Sequence, residues 1–103
     1  MELLTKEIRE KFKNVGSQEK VPMGEQVCIA KFFDPTGSWT WYATEFDGED
    51  TFFGLVDGFE LEWGDFSLSE LQSVKGRFGL GIERDRYIGM PKLKDIERLK
   101  GRL

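Results

Sequence analysis

The sequence predicts an α+β domain, an antiparallel sheet of four to five strands packed with about three helices. Three observations predict it. Residues 39–46 (WTWYATEF) and 51–56 (TFFGLV) place side chains alternately on two faces, as strands do. Asp-Gly pairs at Asp47-Gly48 and Asp57-Gly58 separate these runs from each other and from a third, residues 59–66, as hairpin turns do. The flanking segments show helical signatures, an apolar stripe of Leu4, Ile8 and Phe12 near the start and a Ser67–Glu70 capping box after the last strand.

In order along the chain, Thr5 is the expected N-cap of a helix over 5–13. Residues 14–25 carry Gly16, Pro22 and Gly24 and read as a loop. A first strand is expected over Gln26–Phe33, ended by the Asp34-Pro35-Thr36-Gly37 turn. The sheet region as a whole spans about 26–66. A second helix follows over 67–75, with Leu68, Leu71 and Val74 facing the sheet and Gly76 as its C-cap. Residues 77–91 read as irregular, with one short strand around Ile82. A third helix is expected over 92–101, with Leu93, Ile96, Leu99 and Leu103 along one side. The whole chain, 1–103, reads as one domain.

The turns set the expected faces. The first hairpin closes either as a two-residue Asp-Gly loop or as a four-residue loop over 47–50, and both registers leave the faces unchanged. A two-residue turn at Asp57-Gly58 pairs Val56 with Phe59, Gly54 with Leu61 and Phe52 with Trp63. The core face is then Trp39, Trp41, Phe52, Val56, Phe59, Leu61 and Trp63, with Gly54 leaving room for flanking rings. The opposite face carries Thr40, Tyr42, Thr44, Phe53 and Leu55, edged by Glu60 and Glu62.

Composition narrows the chemistry. Apolar content of 39% and aromatic content of 14% suit a folded core. The chain has no histidine, which removes imidazole-based nucleophile activation and Cys/His zinc sites. Its one cysteine, Cys28, sits among Val27, Ile29 and Ala30 and reads as a buried thiol in a cytoplasmic protein. The N-terminal residues are charged throughout, and no apolar run is long enough to span a bilayer.

Charge is unevenly spread: residues 1–31 carry net +1, residues 32–74 net −10 with no Lys or Arg, and residues 75–103 net +5. Such a distribution steers basic partners to the acidic side and argues against direct nucleic-acid binding through the sheet. The expected contact surface is Tyr42, Thr44, Phe53 and Leu55, with Glu45, Asp47, Glu60 and Glu62 nearby and Arg84 in the alternating Glu83-Arg84-Asp85-Arg86 run. The leading function is a non-enzymatic interaction protein whose partner has a basic surface. The alternatives are a carboxylate- or metal-dependent enzyme drawing on Glu45, Asp47, Asp50 and Arg84, or an acidic mimic of nucleic acid. No catalytic nucleophile, metal-ligand set or cofactor motif stands out. Gly76, Gly79 and Gly81 follow a helix rather than precede one, so they do not form a phosphate-cradling loop.

Several stretches are specific enough to carry a family resemblance: Lys31-Phe32-Phe33, the run from Trp39 to Gly48 (WTWYATEFDG), Phe52-Phe53-Gly54-Leu55-Val56, Phe66-Ser67-Leu68-Ser69-Glu70-Leu71 and Ile82-Glu83-Arg84-Asp85. With them the chain resembles, along nearly its whole length, the bacterial family designated domain of unknown function 2958. The resemblance implies a small stand-alone protein often carried with mobile genetic elements. It brings no activity and no functional residues.

Overall fold

The structure is a computed structural model, described here for residues 2–103 apart from the side chain of Arg77; residue 1 of the expected domain lies outside the described residues. Five strands form one antiparallel sheet: β1 (Ala30–Phe33), β2 (Thr40–Phe46), β3 (Thr51–Asp57), β4 (Leu61–Ser67) and β5 (Glu83–Arg84). Their order is β4-β3-β2-β1-β5. Two α-helices, α1 (Lys6–Val15) and α2 (Leu68–Ser73), and short 3-10 turns complete an α+β fold.

Both helices start where their caps dictate. The Thr5 hydroxyl accepts the Ile8 backbone N–H, and the Ser67 hydroxyl accepts that of Glu70. Helix α1 ends at Gly16, whose φ of 71° is reached by glycine without steric cost. Helix α2 stops earlier than expected, at Ser73, with Val74 already extended and 38% exposed rather than facing the sheet. Gly76 is therefore not its cap. It closes the following loop through its N–H to the Leu80 carbonyl, at a point where a Cβ would meet the Thr36 hydroxyl.

The sheet is covered on both faces. Against the first pack Leu3, Leu4, Phe12, Leu68, Leu71 and Ile82, meeting Phe32, Phe52 and Phe66 from the strands. Phe52 is the hub, with Phe12, Phe32, Phe46 and Phe66 all in ring contact. The second face holds Cys28, Tyr42 and Leu55 beneath Leu93 and Leu99.

The expected helix over 92–101 is replaced by two 3-10 turns, Leu93–Asp95 and Glu97–Leu99. A spacing of three between Leu93, Ile96 and Leu99 suits either helix type, since 3-10 geometry repeats every three residues. Leu93 and Leu99 are buried as that stripe required, but Leu103 is 43% exposed. Arg102 clasps this segment to the sheet, its guanidinium bonding both carboxylate oxygens of Asp57 at 3.2 Å.

Two local features overturn the expected faces. The β3–β4 hairpin has a three-residue loop, Gly58-Phe59-Glu60, so Val56 pairs with Glu62, Gly54 with Gly64 and Phe52 with Phe66. An odd shift in register moves every β4 side chain to the other face. Leu61 and Trp63 thus leave the helix-covered face for the second one, and Phe59, expected in the core, is 94% exposed at the loop.

The second feature is a β-bulge in β2. Trp41 and Ala43 pair with Val56 and Gly54, but Glu45 pairs with Phe53 and Phe46 with Phe52. Thr44 is the extra residue, and past it the alternation inverts. Phe46 consequently joins the first core while Glu45 comes to stand beside Phe53. The hairpin beyond has neither expected loop: with the bulge, Phe46 pairs with Phe52, and the Asp47 N–H donates to the Thr51 carbonyl at 2.9 Å, closing the turn over residues 48–50.

The expected first strand is also shortened. Residues 26–29 lie outside β1: the Ile29 N–H still donates to the Ala43 carbonyl, but Val27 bridges Lys92 and the Cys28 N–H donates to the Pro91 carbonyl.

Candidate functional site

The surface expected around Tyr42, Thr44 and Leu55 is closed. Tyr42 and Thr44 are 0% exposed and Leu55 2%, and the turns of Leu93 and Leu99 lie across Tyr42 and Leu55. The alternation that nominated them distinguishes two faces but not which is covered, and here both are. Burial raises the Tyr42 phenol above its ordinary pKa, and its hydroxyl has no hydrogen-bond partner among the described residues. The Thr44 hydroxyl donates to the Phe53 carbonyl at 3.2 Å.

The remaining candidates divide among separate places. Glu62 pairs with Val56 and so lies on the face opposite Phe53, while Glu60 belongs to the exposed loop. Arg84 is on β5 at the far edge of the sheet and donates to the Glu2 carbonyl. It lines a cleft of about 670 Å³ at that edge, where Lys31, Arg86 and Arg98 stand among Asp34, Glu83 and Asp85. Lys31 and Asp85 pair there at 3.6 Å, so the cleft presents mixed charge.

Asp47 and Asp50 are occupied by the hairpin itself. One Asp47 oxygen accepts the N–H groups of Glu49, Asp50 and Thr51, which holds its pKa below the ordinary value. Asp50 accepts both hydroxyls of Ser67 and Ser69 and the Ser69 N–H, with the same effect. It thus ties the hairpin to the start of α2. Among the described residues no three ligating side chains gather into a metal-binding group.

Glu45 and Phe53 do come together, and residues not singled out from sequence join them. The Phe53 and Trp63 rings stack with centroids 5.4 Å apart and planes within 11°. They form one wall of a cavity of about 660 Å³ whose other lining residues are Glu19, Val21, Met23, Gln26 and Glu45. Asp65, paired with Phe53, stands alongside. This is the part of the second face that the C-terminal turns leave open.

The polar side of this cavity is built from acceptors. Among the described residues no Lys or Arg lines it, and Glu19 and Glu45 supply carboxylates. Gln26 is only 6% exposed, and its Nε2 donates to the Val21 carbonyl at 3.0 Å. That bond fixes the amide orientation and leaves Oε1 buried with no partner among the described residues.

The family model described as "Protein of unknown function (DUF2958)" matches residues 3–92. The chain belongs to this family. No curated protein and no solved structure matches it. In this DUF2958 protein, no helix among the described residues is long and apolar enough to cross a membrane.

What sequence reasoning missed in the DUF2958 protein is Trp63, Gln26, Glu19 and Asp65. Trp63 and Asp65 were hidden by a register that a three-residue loop inverts. Gln26 is the expected first residue of a strand, and its pairing with Leu93, whose N–H its backbone carbonyl accepts at 2.9 Å, spans too great a separation for a local pattern to reveal. One available signal was the pair Val21 and Met23, apolar residues in an otherwise polar loop, both exposed at the cavity rim.

Proposed function

We propose that this protein is a small non-enzymatic binding module whose contact surface is the open part of the second sheet face, around Phe53, Trp63 and Glu45, and whose partner is a protein with a basic surface. The observation that carries this reading is the cavity wall itself: stacked aromatic rings beside carboxylates, with no cation lining it among the described residues. Aromatic rings supply contact area at low entropic cost, and carboxylates at the edge select positive partners. The net charge of −10 over residues 32–74 extends the same field around it. The family resemblance supports a setting in bacterial mobile elements, as an accessory protein acting in the cytoplasm.

The test is affinity capture from a bacterial host carrying the element, with wild type compared against Phe53→Ser and Glu45→Lys. Phe53 is 37% exposed and Glu45 is half-buried, so both variants should fold, which circular dichroism verifies. A basic protein held by wild type, released by moderate salt and lost by both variants supports the reading. Equal recovery by all three overturns it.

A further inference from the structure

Resting on that reading, we infer that the cavity between the 19–26 loop and the Phe53–Trp63 stack receives a single arginine side chain from the partner, with Gln26 Oε1 as an acceptor for its guanidinium. A buried amide oxygen without a partner costs free energy, and native structures seldom leave one so unless a ligand or water completes it. Here the oxygen belongs to a side chain that is more than nine-tenths buried and whose donor end is already engaged by Val21. The group that completes it must therefore donate.

The charge of that group follows from its neighbours. Glu19 and Glu45 line the same cavity and are acceptors when ionised, so the occupant should be a cation with several donors. The parallel rings of Phe53 and Trp63 offer a flat π surface. Guanidinium is planar, stacks on such surfaces and carries five N–H donors, whereas ammonium is a compact and strongly hydrated point charge. Arginine satisfies the stack, the two carboxylates and the amide together. Val21 and Met23, which share the wall, are exposed and their side chains can move aside to admit it.

The experiment titrates the folded protein with the blocked pentapeptide Gly-Gly-Arg-Gly-Gly and with its lysine and citrulline counterparts. Binding is followed by the shifts of the Gln26 side-chain amide and the Trp63 indole N–H in NMR. Citrulline keeps the planar shape and loses the charge. The expected order is arginine tightest, lysine several-fold weaker and citrulline without saturable binding. Gln26→Leu should weaken the arginine peptide about tenfold, the loss of one hydrogen bond to a charged group, and Glu45→Gln should weaken it too. Glu10→Gln, an exposed carboxylate on α1, should leave it unchanged. Arginine binding that is indifferent to Gln26→Leu and Glu45→Gln overturns the arginine site while the basic-partner reading stands. Equal affinity for arginine and citrulline removes the cationic basis of both.

Discussion

The side-chain amide of Gln18 donates to the backbone carbonyl of Thr44, 26 residues away, at 2.8 Å. Thr44 is the extra residue of the β2 bulge, so its carbonyl is left out of the regular ladder. The same amide donates to the Val27 carbonyl at 3.0 Å and accepts the Val27 N–H at 2.7 Å. One buried glutamine thus plugs the bulge and pins the segment that leads into β1. The bulge in turn is what sets Glu45 beside Phe53.

Replacing Gln18 with leucine should therefore destabilise the protein by about 2–3 kcal/mol, because buried backbone groups at Thr44 and Val27 lose their partners. Urea unfolding gives the number. The inversion past Thr44 should suffer with it, seen as altered shifts of Glu45 and Phe53 in the folded variant. A loss under about 0.5 kcal/mol, the usual scatter of surface substitutions, would show that the bulge does not depend on this side chain.

Two glycines that face each other across β3 and β4 should respond in opposite ways. Gly54 and Gly64 are paired, yet a Cβ on Gly54 would stand 1.9 Å from the Tyr42 carbonyl oxygen, while one on Gly64 meets nothing within 4 Å. Gly54→Ala forces the backbones of β2 and β3 apart beside the bulge and should cost roughly 3 kcal/mol or more. Gly64→Ala should be neutral or stabilising by about 0.5 kcal/mol, through reduced freedom of the unfolded chain. Thermal melts of the two variants check the contrast. Similar melting temperatures would contradict the close approach.

Acid should loosen the 3-10 turns before it unfolds the sheet. Glu25 is bonded to Lys92 and Lys94, which hold its pKa at about 2 against an ordinary 4.5. A carboxylate whose folded pKa is depressed stabilises the fold above its unfolded value, and that contribution fades as pH falls from about 4.5 towards 2. The group is exposed, so the effect is modest and salt-sensitive. Amide hydrogen exchange of residues 92–99 followed from pH 5 to pH 2.5, corrected for intrinsic rates, should show protection lost in that window. Glu25→Gln should show low protection already at pH 5. Identical profiles for wild type and variant would remove Glu25 as the cause.

The thiol of Cys28 offers a reporter for the same region. It is fully buried, its Sγ lies 3.4 Å from the Ala30 carbonyl oxygen, and burial pushes its pKa up to about 12. A thiol so placed is unreactive until the second core opens.

How much could be read without coordinates depends on how local each cause is. The caps of α1 and α2 were legible in Thr5, Ser67 and Glu70, because a cap involves residues three apart. So were the five-strand limit of the sheet, the antiparallel hairpins and the short strand next to Ile82. That Trp41 and Ala43 share a face with Val56 and Gly54 followed from alternation. The candidate site was legible only in Glu45 and Phe53. Trp63 and Gln26 were not, since a loop one residue longer than expected turned the first over and a contact with the C-terminal segment placed the second.

By itself the sequence determined the class of fold, the periodicities and the turns, because these depend on steric and hydrogen-bonding rules that act within a few residues. It also determined the charge of the surface, which is set by composition. Tertiary structure decided which face of each strand is buried, since a single extra residue at Thr44 or in the 58–60 loop inverts all that follows. It decided as well that residues 93–99 would cover Tyr42 and Leu55 but stop short of Phe53, leaving an acidic aromatic cavity open to solvent. That boundary depends on where a distant segment docks, and the energy of docking is shared among Leu93, Leu99, Arg102 and Asp57, residues with no local pattern in common.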